Sequence, residues 1–207
     1  MKGCYCIFMI MLFIGCKPDT DRKVGIHEEV SDLYMKYSDS VSGWSTQYPK
    51  SWRLLTLKEI AEIEKRGAEM LALDKQEKLP MTNQQLLWLR KDDFNSFTSN
   101  YEFFDERDGS YQEVERSIFD LIESSFTRLG LLVDSKVDTA TLDGLQFIRY
   151  QATIYSADRS SIIMNQAMYC RLIDNRISIL LNANYNNTSD RDALLAIIES
   201  SKFEIRD

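Results

Sequence analysis

The sequence has one histidine, His27, and no surplus of basic residues. Each scarcity excludes a class of function. A single imidazole leaves no multi-histidine metal centre and works against a serine–histidine–aspartate triad. With 25 basic against 32 acidic residues, the net charge is −7. Nucleic acid is therefore excluded as a partner, since binding it needs a cationic surface to displace phosphate counterions. The eight glycines include no Gly-rich loop to cradle a phosphate. No CxxC, HExxH or GxSxG motif follows the opening segment, and no cofactor is implied. The opening apolar run, Cys4 to Ile14, is eleven residues long. A spanning helix needs about 20. There is no repeat and no low-complexity tract.

What is present begins with an address. Lys2 precedes the apolar run, and Gly15-Cys16 then meets the polar stretch Lys17-Pro18-Asp19-Thr20-Asp21. The run has the length of a signal-peptide core. Leu12-Phe13-Ile14-Gly15-Cys16 resembles a bacterial lipobox. The resemblance implies a signal peptide over 1–15, cleavage between Gly15 and Cys16, and two acyl chains on Cys16. Two chains give stable anchoring where one does not. The protein is thus expected on the membrane of a bacterial envelope. Lys17 after the acylated cysteine favours the outer membrane. Cys4 and Cys6 leave with the signal, so Cys170 is the one thiol of the folded part and no internal disulfide can form. Its alternating apolar surroundings point to a small core side chain.

Residues 16–40 read as lipid anchor and tether. Val30, Leu33, Tyr34 and Tyr37 suggest a short helix over 28–39, and His27 is expected at the tether's edge, open to solvent. Residues 41–207 form the domain. At 44% apolar and 11% aromatic residues, it has the material for a core. Trp44 to Tyr48 alternates as a strand up to Pro49. Thr56-Leu57-Lys58-Glu59 is a capping box, opening a helix to about Asp74. Strands at 86–90 and 97–103 follow. Ser110-Tyr111-Gln112-Glu113 caps a second helix carrying Val114, Ile118, Leu121, Ile122 and Leu129, stopped at Gly130. Four strands come next (136–142, 145–155, 162–173, 177–183), with Asp143-Gly144 and Asp174-Asn175 as hairpin turns. A last helix shows Leu194, Leu195, Ile197 and Ile198. Short turns mean antiparallel pairing. The predicted class is α+β, an antiparallel sheet of six to seven strands sandwiched by helices. The three tryptophans, Trp44, Trp52 and Trp88, belong in its core.

Three stretches carry a family resemblance. These are the opening strand ending in Tyr48-Pro49-Lys50-Ser51-Trp52, Leu142-Asp143-Gly144 before a long strand, and Ile198-Glu199-Ser200-Ser201-Lys202-Phe203 at the closing helix. In that order, over roughly residues 43–205, the chain resembles the PsbP/Mog1-like superfamily, bacterial PsbP-like lipoproteins included. The resemblance implies accessory, assembly or chaperone-like binding modules. It carries over no catalytic residues.

The residues themselves offer little chemistry. The acid pairs Glu28/Glu29 and Asp92/Asp93 read as solvated loops, and Asp105 to Gly109 lacks the acidic spacing of a calcium loop. The more informative feature is a sheet face. Arg149, Gln151 and Tyr155 alternate on one strand, with Asn165, Tyr169 and Arg171 on the next and Asn182 and Asn184 on the last. Tyr and Arg often anchor protein interfaces. The predicted function is a membrane-anchored, non-catalytic module that binds another envelope protein. One alternative is a small-molecule or lipid-binding lipoprotein with an apolar pocket between sheet and helices. Another is a hydrolase relying on carboxylates alone.

Overall fold

The computed structural model describes residues 25–70 and 84–204. Gly15 and Cys16 of the lipobox lie outside the described residues. So do the last residues of the first predicted helix, 71–74, and the predicted loop over 75–82.

The described chain begins with β1 (Ile26–Glu29), β2 (Tyr34–Ser38), β3 (Trp44–Pro49), β4 (Arg53–Leu54) and α1 (Leu57–Met70). It continues through β5 (Gln84–Arg90), β6 (Ser96–Phe103) and α2 (Tyr111–Arg128). Then come β7 (Leu132–Leu142), β8 (Leu145–Tyr155), β9 (Ile162–Ile173), β10 (Ile177–Tyr185), α3 (Thr188–Glu199) and β11 (Lys202–Phe203). The main sheet has seven strands in the order β4-β5-β6-β10-β9-β8-β7. A smaller sheet runs β1-β2-β3-β11. All pairings are antiparallel.

The α+β class stands, with one addition and one correction. The addition is the smaller sheet, which takes the opening strand away from the main one. The correction concerns residues 28–39: the expected short helix is a hairpin, β1 paired with β2 and β2 with β3. The alternation Met35, Tyr37 against Lys36, Ser38 is a strand pattern, and Tyr37 is buried under Trp44 at 5.5 Å between rings. His27 therefore sits inside the folded unit. Its Nδ1 lies 2.9 Å from the Tyr48 hydroxyl, and its ring meets Tyr37 edge-on.

The turns form as their residues dictate. Asp143 and Gly144 both have positive φ, as do Asp174 and Asn175. That is the mirror-image turn whose twist matches a hairpin. Both capping boxes close. The Glu113 carboxylate accepts from Ser110 N–H while the Ser110 hydroxyl accepts from Glu113 N–H. Thr56 and Glu59 exchange the same pair of bonds.

Period-2 alternation gives the main sheet two buried faces. On one, α3 and the smaller sheet cover a core of Trp44, Tyr48, Trp52, Leu87, Phe97, Phe147, Leu181 and Leu194 among others. On the other, α2 lays Phe119, Ile122 and Phe126 on Tyr150, Ile154, Met168 and Cys170. Beside it, α1 sets Ile60 and Ile63 on Trp88. Each such large side chain stabilises the fold by roughly 1.5–3 kcal/mol through burial. All three tryptophans are core, and Cys170 is a buried free thiol. Among the described residues no helix is long and apolar enough to cross a membrane.

A candidate binding face on strands β7 to β9

Helix α3 packs on β10 and β3, away from the β7–β8 end of the main sheet. Phe147 of β8 is fully buried on this side, but Arg149, Gln151, Thr153 and Tyr155 beyond it are only half-buried. Register then decides their neighbours. Arg149 stands opposite Tyr169, and Thr153 opposite Asn165, whose side chains are bonded at 3.0 Å. Gln151 stands between Lys136 of β7 and Ala167 of β9. The structure thus brings Arg149, Gln151, Tyr155, Asn165 and Tyr169 onto one face. Tyr169 is its buried floor. Arg171 shares the face at its inner end, with its guanidinium 5.9 Å from the centre of the Phe147 ring.

Asn182 and Asn184 do not belong to this face. Asn182 pairs with Met168 and Asn184 with Gln166, so both point to the α1/α2 side, where all three polar residues are buried. Gln166 Nε2 donates to Asn182 Oδ1 there, at 3.1 Å.

The face also contains residues that the sequence reading missed. Asp138 of β7 stands opposite Arg149. Arg149 Nε and Nη2 donate to its two oxygens at 2.7 and 2.9 Å, and Lys136 Nζ lies 2.7 Å away. Arg149 first, and Lys136 second, hold the Asp138 carboxyl well below the usual carboxylate range. It is ionised at neutral pH and engaged in structure, which suits recognition and not proton transfer. At the outer end Arg159 covers the Tyr155 ring at 5.0 Å and pairs with Asp134. The face is therefore a lattice of fixed charges and amides around an aromatic floor.

Other candidate chemistry resolves into structure. Glu29 pairs with Lys50 and Asp93 with Arg90, while Asp92 accepts from the backbone of Phe94 and Asn95. The Asp105 carboxylate is taken up by Arg107, which lowers its pKa to about 2. No group of three or more metal-binding side chains occurs among the described residues. On the far face, burial raises the carboxyl of Glu115 above its usual range. Burial raises the neighbouring Cys170 thiol as well. Near them an open groove of about 820 Å³ runs between the start of α2 and strands β8 and β9, lined by Phe104, Tyr111, Phe147, Ile148 and Arg171 among others.

No family model and no curated protein matches this sequence. The architecture does match. The solution structure of cyanobacterial PsbP (CyanoP) from Synechocystis sp. PCC 6803 superposes with a TM-score of 0.57. The match covers 84% of this chain and 94% of that one at 9% identity. The fold is PsbP-like. At that identity the match shows the fold alone.

Proposed function

We propose that this PsbP-like protein is a lipid-anchored, non-catalytic module of the bacterial envelope, held through Cys16 and engaging another envelope protein. The carrying observation is the face around Arg149, Gln151 and Tyr155. Its side chains are pre-positioned by cross-strand bonds, which lowers the entropy lost on docking. Its Tyr and Arg content is that of an interface core, and its acids are tied to cations. The lipobox supports the anchor, with the outer membrane favoured. The net acidic charge means that acyl chains, not basic residues, hold the protein at its membrane.

The test is cross-linking and pulldown of the full, lipidated chain from native membranes. A stoichiometric protein partner, lost at least tenfold with the pair Gln151→Arg and Tyr155→Ala, is the expected result. Both residues are half-buried surface positions, so unfolding curves should stay close to wild type. Recovery of no protein partner would overturn the reading. So would turnover abolished by one Asp or Glu substitution. Cys16→Ala should release the chain from membranes or block its processing.

The groove beside α2 favours a second reading, a small-molecule or lipid carrier. Its volume lies in the range of small-ligand sites. A co-purified small molecule that stabilises the chain, with no protein recovered, would establish it.

A further inference from the structure

The main sheet ends on β7, and that edge is unusual. All eleven residues from Leu132 to Leu142 pair with β8 in one unbroken register. Bulges interrupt the β5–β6 and β8–β9 pairs, but not this one. The other outer strands are much shorter: β4 and β11 have two residues each and β1 has four. Proteins blunt a long edge with proline, bulges or unmatched charge, because its free N–H and C=O groups template another strand. Residues 132–142 contain no proline and no glycine. Their one lysine, Lys136, is matched by Asp138 on the same strand. Val137, between them, is 56% exposed.

We propose that β7 pairs with β7 of a second copy of this chain, antiparallel, about a two-fold axis through Val137. The argument is self-complementarity, which a two-fold interface demands. Centred on Val137, the register uses the whole strand: Leu132 meets Leu142 of the other copy, Val133 meets Thr141, and Ser135 meets Thr139. Lys136 meets Asp138, and by symmetry Asp138 meets Lys136. Moving the axis one residue either way sets Lys136 against Lys136 or Asp138 against Asp138, which is repulsive. The axis is perpendicular to the sheet and keeps each face with its like. The Val133, Ser135, Val137, Thr139 row then joins its copy on the α2 side, uncharged and rich in β-branched residues. The Arg149 faces of the two copies abut on the other. This inference does not rest on the partner reading above, because a pulldown can fail while the seam forms.

The seam is tested with the full chain by oxidative cross-linking in native membranes, against wild type as background. Val137→Cys should give a dimer-sized band at least tenfold above Thr141→Cys alone, because residue 141 does not meet itself. The double variant Val133→Cys/Thr141→Cys should cross-link again. In detergent the wild-type chain should sediment at twice its monomer mass. Lys136→Glu turns two attractive pairs into repulsive ones and should weaken that dimer about tenfold. Lys136 is two-thirds exposed, so its circular dichroism should match wild type. Equal cross-linking at 137 and 141, none at 137, or a dimer indifferent to Lys136→Glu would overturn the proposal.

Discussion

Arg149 grips Asp138 across the β7–β8 pair with two parallel hydrogen bonds of 2.7 and 2.9 Å. The pair is only partly exposed, so its geometry is worth more than that of a free surface ion pair, though solvent still screens it. Asp138→Asn should lower stability by roughly 1 kcal/mol near neutral pH. The sign with pH follows from the depressed carboxyl. The unfolded state takes up a proton near pH 4, and the folded state does so only at lower pH. The contribution is full above the unfolded value and is lost as pH falls through the folded one. Urea unfolding from pH 7 down to pH 3 should show a steeper acid loss for wild type than for Asp138→Asn.

Trp44 and Ser201 join the smaller sheet to the chain end after α3. The indole N–H donates to the Ser201 hydroxyl at 3.0 Å, and both residues are fully buried. Ser201→Ala strands that donor in the core, at a cost of about 1–3 kcal/mol. A comparable loss is not expected from Ser124→Ala, where the hydroxyl is an exposed bond to its own helix. Parallel thermal melts of the two variants make the comparison.

Phe119 stacks on Tyr150 with ring centres 4.9 Å apart. With Ile122 and Phe126 it belongs to the cluster that seats α2 on the sheet. Phe119→Ala should cost about 3–5 kcal/mol, since the fully buried Tyr150 cannot move to fill the space. Phe119→Leu should cost clearly less. Equal losses would mean that aliphatic bulk cannot stand in for the stacked ring, and no loss in Phe119→Leu would mean that the stack contributes nothing beyond bulk.

The same helix shows what the sequence made legible and what it hid. Capping at Ser110 and Glu113, the stop near Gly130, the mirror-image turns and the alternation of β8 to β10 are local, and each could be read from a few residues. The buried face of α2 was legible only in part. It consists of Glu115, Phe119, Ile122, Ser125 and Phe126. Ile122 follows from the apolar spacing, and Ile118 and Leu129 pack at the margin of that core, but the charged Glu115 breaks the pattern that would have pointed to Phe119 and Phe126. The β1–β2 hairpin was hidden for a similar reason: Ile26-His27-Glu28-Glu29 has no apolar alternation, and its pairing depends on Tyr48 far along the chain. On the candidate face, parity within one strand grouped Arg149 with Gln151 and Tyr155. Parity between strands needs register, and so Asn182 and Asn184 were joined to a face they do not share.

Glu115 gives a second pH signature, opposite in sign to that of Asp138. Burial raises its carboxyl, so the folded state keeps a proton that the unfolded state releases near pH 4. Stability from this group is full below that value and falls as pH rises through the folded pKa. Glu115→Gln keeps a neutral, bonding side chain near Ser178. The variant should match wild type within about 1 kcal/mol in mild acid and exceed it at pH 8, with a flatter profile between. Urea midpoints at several pH values report both.

His27 is the chain's only histidine, so its titration can be followed as a single imidazole signal. Burial against Tyr37 and Tyr48 disfavours the charged ring and lowers its pKa from 6.5. An imidazole in a loose tether would titrate at the ordinary value. Between the lowered and the ordinary pKa the unfolded state binds the extra proton, so stability rises with pH through that window and is lost on acidification. His27→Gln should flatten the profile below about pH 6.5 and leave the neutral side nearly unchanged. Nuclear magnetic resonance of the full chain in detergent reads the titration directly. An unshifted imidazole would mean that β1 is not docked on β2, and that the folded unit starts later in the chain.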